Sequence, residues 1–170
     1  MKTIIEAGYI RDEKFAKEFY TYYAYHCPAG IIITTICILA IVVGVINIIA
    51  IQQYLSIISV VLGIFLLIMR AVRVKTSIKI SLDRDKESNH GNCVSLQNIV
   101  TQNSILVKSS LNEAGTDYDI SCIVKAYRSK NYIYLLTKAK LVIIFDVNKF
   151  SKGTPEELIE FIRNKGIKIK

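Results

Sequence analysis

The hydrophobic pattern divides the chain into three parts. Between His26 and Arg70 no residue carries a full charge, which leaves Cys27–Met69 as an uncharged stretch of 43 residues. One helix needs only about 20 residues to cross a hydrocarbon layer of about 30 Å. Two crossings joined by a turn fit the length, and Gln52-Gln53, the most polar pair in the stretch, marks that turn. The pattern predicts a hairpin of helices at 29–51 and 54–72. Charges are excluded for a physical reason, since each Asp, Lys or Arg at a helix centre costs about 2.5–3.5 kcal/mol on insertion. The late start of the apolar core and the second crossing argue against a cleaved signal peptide.

The flanks carry different periods. Lys2–Ile10 reads as a short strand or extended segment. Arg11–His26 reads as an amphipathic helix, with Phe15, Phe19, Tyr22 and Tyr23 grouped at helical spacing, and its aromatic density predicts a helix in the headgroup layer. Pro28 marks the bend into the hairpin. After the hairpin, Val74, Ile78 and Leu82 recur every four residues and favour a continuing helix, against a strand pattern at Ile78, Ile80 and Leu82. Asp83–Asn92 is polar and predicts a linker ending at a domain boundary.

From Cys93 the period becomes two. Strands are predicted at Cys93–Val100, Ser104–Ser109, Thr116–Ala126, Asn131–Leu136 and Leu141–Val147, antiparallel because their connections are too short for crossovers. Thr154-Pro155-Glu156-Glu157 has the residues of an N-cap, a first-turn proline and a capping box. The helix Pro155–Asn164 that follows would turn Leu158, Ile159, Phe161 and Ile162 to the sheet, with Gly166 ending it. The expected organisation is an N-terminal strand and interfacial helix (1–28), a two-helix transmembrane hairpin (29–72), a linker (73–92) and an α+β domain (93–170).

Charge sets the orientation. The formal net charge is +8, and Arg73–Lys170 holds 17 basic against 10 acidic residues. The predicted turn is uncharged, while Arg11, Lys14 and Lys17 precede the hairpin and Arg70, Arg73, Lys75 and Lys79 follow the uncharged stretch. The positive-inside rule therefore predicts a multi-pass protein of the cytoplasmic membrane with both termini cytoplasmic. Within the hairpin, Ala40, Gly44 and Asn47 share one face of the first helix, and Ser56, Ser59 and Gly63 share a face of the second. The pairs Ala40-xxx-Gly44 and Ser59-xxx-Gly63 let backbones approach where lipid supplies no hydrophobic drive.

The order of elements resembles the YcxB-like family of bacterial membrane proteins. Its sharpest part runs through Ser104–Phe150, with a glycine turn at Gly115, the strand Tyr118-Asp119-Ile120-Ser121 and the hairpin of Tyr132-Ile133-Tyr134-Leu135 with Val142-Ile143-Ile144. Cys122 stands where that family usually has tryptophan, and Phe145-Asp146-Val147 replaces a proline-lysine ending. The resemblance implies two membrane helices, a C-terminal domain of pleckstrin-homology-like fold and a bacterial inner-membrane location. It implies no catalytic residue.

Candidate chemistry is sparse. Cys27, Cys37, Cys93 and Cys122 form no CxxC pair, and His26 and His90 lack partners at ligand spacing, so neither metal nor cofactor is expected. No P-loop, GxSxG, HExxH or paired-carboxylate pattern supports an enzyme, and the basic residues follow no nucleic-acid-binding pattern. Lys125, Arg128, Lys130, Lys138 and Lys140 lie at two neighbouring turns, which suggests one positive edge for anionic headgroups or a partner. The expected function is a membrane-anchored, non-enzymatic interaction module with a protein partner. The alternatives are an anionic-lipid sensor or a small two-span pore or transporter subunit.

Overall fold

In the computed structural model, residues 3–51 and 53–169 are described, and Gln52 of the predicted turn lies outside them. The chain forms two compact units, one of residues 12–84 and one built from residues 3–11 together with 85–169.

The first unit is helical. Helix α1 (Glu13–Tyr25) starts at Asp12, whose carboxylate accepts from the Phe15 amide at 2.7 Å. Its aromatic residues stack along one face, with 5.7 Å between the Phe15 and Phe19 rings and 6.4 Å between Phe19 and Tyr23. Phe15 and Ala16 are buried within the protein. Tyr23 on the same helix is exposed. Helix α2 (Pro28–Ala50) has proline in its first turn, where a missing N–H costs nothing, and a Cys27 thiol accepting from the Gly30 amide. After a 3-10 turn at Tyr54–Ser56, helix α3 runs from Ile57 to Ser88. The helical pattern at 74, 78 and 82 prevails, and the expected linker at 73–92 is corrected. Helix occupies it through Ser88, and a tight turn with His90 and Gly91 at positive φ closes it. Both α2 and α3 are long and apolar enough to cross a membrane.

The second unit holds two sheets. Strand β1 (Ile5–Ile10) joins β2 (Ser95–Val100), β3 (Ser104–Ser109), β4 (Asn112–Asp119) and the short β8 (Phe150–Lys152) in the order β4-β3-β2-β1-β8. Strands β5 (Ile123–Arg128), β6 (Tyr132–Thr137), β7 (Val142–Asp146) and β9 (Lys168–Ile169) form the other, ordered β7-β6-β5-β9. All pairs are antiparallel except β5 with β9. Helix α4 (Pro155–Asn164) starts with the capping box, Thr154 and Glu157 each bonding the other's backbone amide, and buries Leu158 and Ile162.

Membership of β1 corrects the expected boundaries. Ile5, Ala7 and Tyr9 alternate inward, and β1 pairs with β2 over its full length, from Ile5 opposite Val100 to Ile10 opposite Ser95. The domain assigned to 93–170 is therefore completed by a strand that precedes the helices. A 3-10 turn at Ile120–Cys122 breaks the long strand expected at Thr116–Ala126 and carries the chain between sheets. Asn98 stitches the two sheets: fully buried on β2, it donates to the Ile144 carbonyl of β7 at 2.5 Å.

Candidate functional site

The five basic residues of the expected edge do not come together. Strand β6 separates the two turns, so Arg128 and Lys130 lie at one end of the sheet and Lys138 and Lys140 at the other. Six extended residues span roughly 20 Å, beyond the Debye length of about 8 Å at physiological salt. Arg128 is also engaged, its guanidinium 3.1 Å from Glu156 in the first turn of α4. The single positive edge is thus corrected to two separate basic ends. Lys125 lies opposite Leu136 on one side and Lys168 of β9 on the other. Like charges directly opposite on neighbouring strands repel, and the pair has no carboxylate within 4.0 Å among the described residues.

At the Lys138 end the geometry is tight. Lys138 donates its amide to Cys122 at 2.8 Å, and the Lys140 amide bonds the Thr137 carbonyl at 2.9 Å. The Thr137 hydroxyl oxygen accepts from the Leu141 amide at 3.0 Å and lies 3.1 Å from the Leu141 carbonyl. Lys140 sits at φ 62, the left-handed conformation this hairpin turn requires and glycine or asparagine usually supplies. Lys138, Ala139 and Lys140 are exposed, and Leu141 is 51% exposed. Asp119 is the nearby acid. Hydrogen bonds from Ser121 hold its carboxyl below the usual range, and the positive charges of Lys138 and Lys165 push the same way.

In the helical unit Gly44 faces Ser59 and Ser56, two of the small residues of the expected packing face, while Gly63 faces Ile41 and Cys37. A methyl group added at Gly44 would lie 2.5 Å from the Ser59 hydroxyl and 2.6 Å from Val60, with the Ser56 carbonyl at 3.1 Å. One at Gly63 would lie 2.7 Å from Ile41 and 3.1 Å from the Cys37 carbonyl. Ala40 and Asn47 are half-buried on α2, and Ser59 satisfies its own hydroxyl on the Ser56 carbonyl at 2.7 Å.

Arg70, read from the sequence only as an orienting charge, holds this unit's corner together. It donates to the Thr34 hydroxyl and the Gly30 carbonyl, both at 2.9 Å, and to the Ala24 carbonyl. Its guanidinium also lies 5.0 Å from the centre of the Tyr25 ring. Ala24 belongs to the last turn of α1, which has no basic residue of its own. Arg70 thus caps that helix end and answers its partial negative charge. Gly30 permits the approach, since a side chain there would strike the Ala24 carbonyl.

A third cluster joins the ends of the sheet unit's two chain segments. Arg11 ends one and Asp85 begins the other, 3.7 Å apart, with Asp85 buried and its second carboxylate oxygen without a hydrogen-bond partner. Burial raises the pKa of the neighbouring Tyr9, partly offset by Arg11. No sequence signal marks this trio, because its members come from distant segments. Among the described residues no three His, Cys, Asp or Glu side chains gather as a metal site, and all four cysteines are free. Comparison with protein-family models, curated proteins and solved structures gives no match to the chain.

Proposed function

We propose that this chain is a membrane-anchored, non-enzymatic interaction module. Helices α2 and α3 cross the bilayer as a hairpin, and the two-sheet domain is displayed on the cytoplasmic side of a bacterial inner membrane. The observation that carries this reading is the pairing of β1 with β2 and β8. One strand precedes the apolar helices and its partners follow them, which supports an even number of crossings with both ends of the hairpin on one side. Surface supports the same reading. The apolar windows of α2 and α3 are only 17% and 6% buried, and Ile, Leu, Val and Phe side chains project outward along both. A soluble protein rarely leaves contiguous apolar patches beyond a few hundred Å² in water, and lipid covers such a surface without cost. Charge supports the cytoplasmic side, since basic residues flank the hairpin and none occurs at the turn.

For the domain we propose a pleckstrin-homology-like architecture of the YcxB-like kind. Two largely antiparallel sheets share one core with an amphipathic C-terminal helix, and the first sheet takes β1 from before the hairpin. Its role is to bind a protein partner. The decisive measurement combines alkaline extraction with side-specific labelling. The protein should stay in the pellet at high pH, a tag at Tyr54 should be labelled only from outside the cell, and tags at either terminus only after lysis. Release without detergent, or a Tyr54 tag facing the cytosol, would overturn the reading.

A further inference from the structure

We infer that α2 carries a second packing face whose occupant is another copy of this chain, so that two hairpins pair in the bilayer with Asn47 bonded to Asn47 across a two-fold axis. This deepens the anchored reading and rests on it, because the pairing exists only where the helices lie in lipid.

The amide itself is the first observation. Asn47 belongs to the apolar span, is half-buried, and has no hydrogen-bond partner for its side chain among the described residues. Two hydroxyls of the hairpin find carbonyls on their own helices, Thr34 on Gly30 at 2.9 Å and Ser59 on Ser56 at 2.7 Å. The Asn47 side chain makes no such local bond. It carries two donor hydrogens and an acceptor oxygen, and hydrocarbon satisfies neither.

The second observation is where the amide sits. Helix α2 buries Gly30, Cys37 and Gly44 against α3. Roughly a quarter-turn round the same helix, Ile33, Ile36, Ala40, Val43, Asn47 and Ala50 recur at alternating steps of three and four residues. That is the spacing of a coiled-coil seam. Ile33, Ile36 and Val43 are each more than half exposed, so α3 leaves this seam open. Its alanines permit close approach of a second backbone, and an asparagine among apolar seam residues fixes register and the number of strands.

Complementarity names the occupant. Copies inserted in the same sense run their α2 helices parallel, so each seam residue meets its own counterpart. Asparagine is its own complement, since the NH2 of one amide donates to the carbonyl oxygen of the other, and a two-fold contact of identical patches closes at two chains.

Full-length protein carrying a donor or an acceptor fluorophore at its C-terminus is co-reconstituted into phosphatidylcholine vesicles and diluted with lipid. Energy transfer should exceed that of randomly placed monomers and fit a dimer. Asn47→Val should raise the protein-to-lipid ratio at half-association roughly three- to thirtyfold, and Asn47→Gln, which keeps the amide, should recover most of it. Ile38 is exposed on the opposite side of α2, nine residues away. Adding Ile38→Asn to Asn47→Val should not restore association. Transfer at the random level, transfer indifferent to Asn47→Val, or full restoration by Ile38→Asn would overturn the seam. Hydration of Asn47 by headgroups would appear as the second of these. Failure of the anchored reading is distinguishable, because the protein would then not float with the vesicles at all.

Discussion

Arg70 shows how one side chain can hold a corner without an acidic partner. Its fork meets two backbone carbonyls and a hydroxyl, which a single ammonium cannot do with the same geometry. Arg70→Leu should cost the helical unit about 2–3 kcal/mol, read as faster hydrogen exchange at the end of α1, and Arg70→Lys should recover little of it. Lys140→Gly should have the opposite sign. Relieving a left-handed lysine is worth about 1 kcal/mol, measurable by denaturant titration. Tyr9 supplies a pH signature. Its folded pKa lies above the ordinary 10.0, so its neutral form contributes stability that is complete below that pH. The contribution disappears as pH rises through the raised folded value, and a late-titrating phenol should be visible by absorbance and absent in Tyr9→Phe.

At the scale of elements, the hairpin depends on close approach at two glycines. Gly44→Ile should force α2 away from Ser59 and Val60, whose atoms already lie within 2.6 Å of an added Cβ. Overpacking of this kind typically costs 1–3 kcal/mol, and thermal stability in detergent should fall accordingly. Elements with a local cause were legible in the sequence. The hairpin followed from excluded charge, and α4 followed from Thr154, Pro155 and Glu157, whose capping interactions are complete within one turn. Elements with a distant cause were not. Strands β8 and β9, of three and two residues, are too short to show a period and exist because β1 and β5 offer them an edge. The break at Ile120–Cys122 has no glycine or proline to announce it. The two basic turns looked contiguous because sequence proximity hides the length of the strand between them.

For the whole molecule, the main departure from the linear reading is the origin of β1. Its alternation was visible at Ile5, Ala7 and Tyr9, but its partner lies beyond the entire hairpin, and period two does not name a partner. The consequence can be tested by truncation. Residues 85–169 alone lack a central strand, and the loss of its buried side chains and ladder bonds, about 8 kcal/mol, is comparable to the whole stability of a small domain. That fragment should be unfolded by circular dichroism and by amide chemical shifts. Joining residues 3–11 to it through a flexible linker should restore a cooperative transition.

The divided domain also bears on biogenesis. At 5–20 residues per second, β1 leaves the ribosome on the order of ten seconds before β2, and it must wait while the hairpin is made. In the anchored reading, a chain in which only one of the two helices inserts would strand β1 and β2 on opposite faces of the membrane, and neither face would hold a complete sheet. Correct folding of the domain would then report that both helices had entered. An incorrectly threaded chain would expose an unfinished core to cellular proteases, and in that reading the first strand would double as a quality check on insertion.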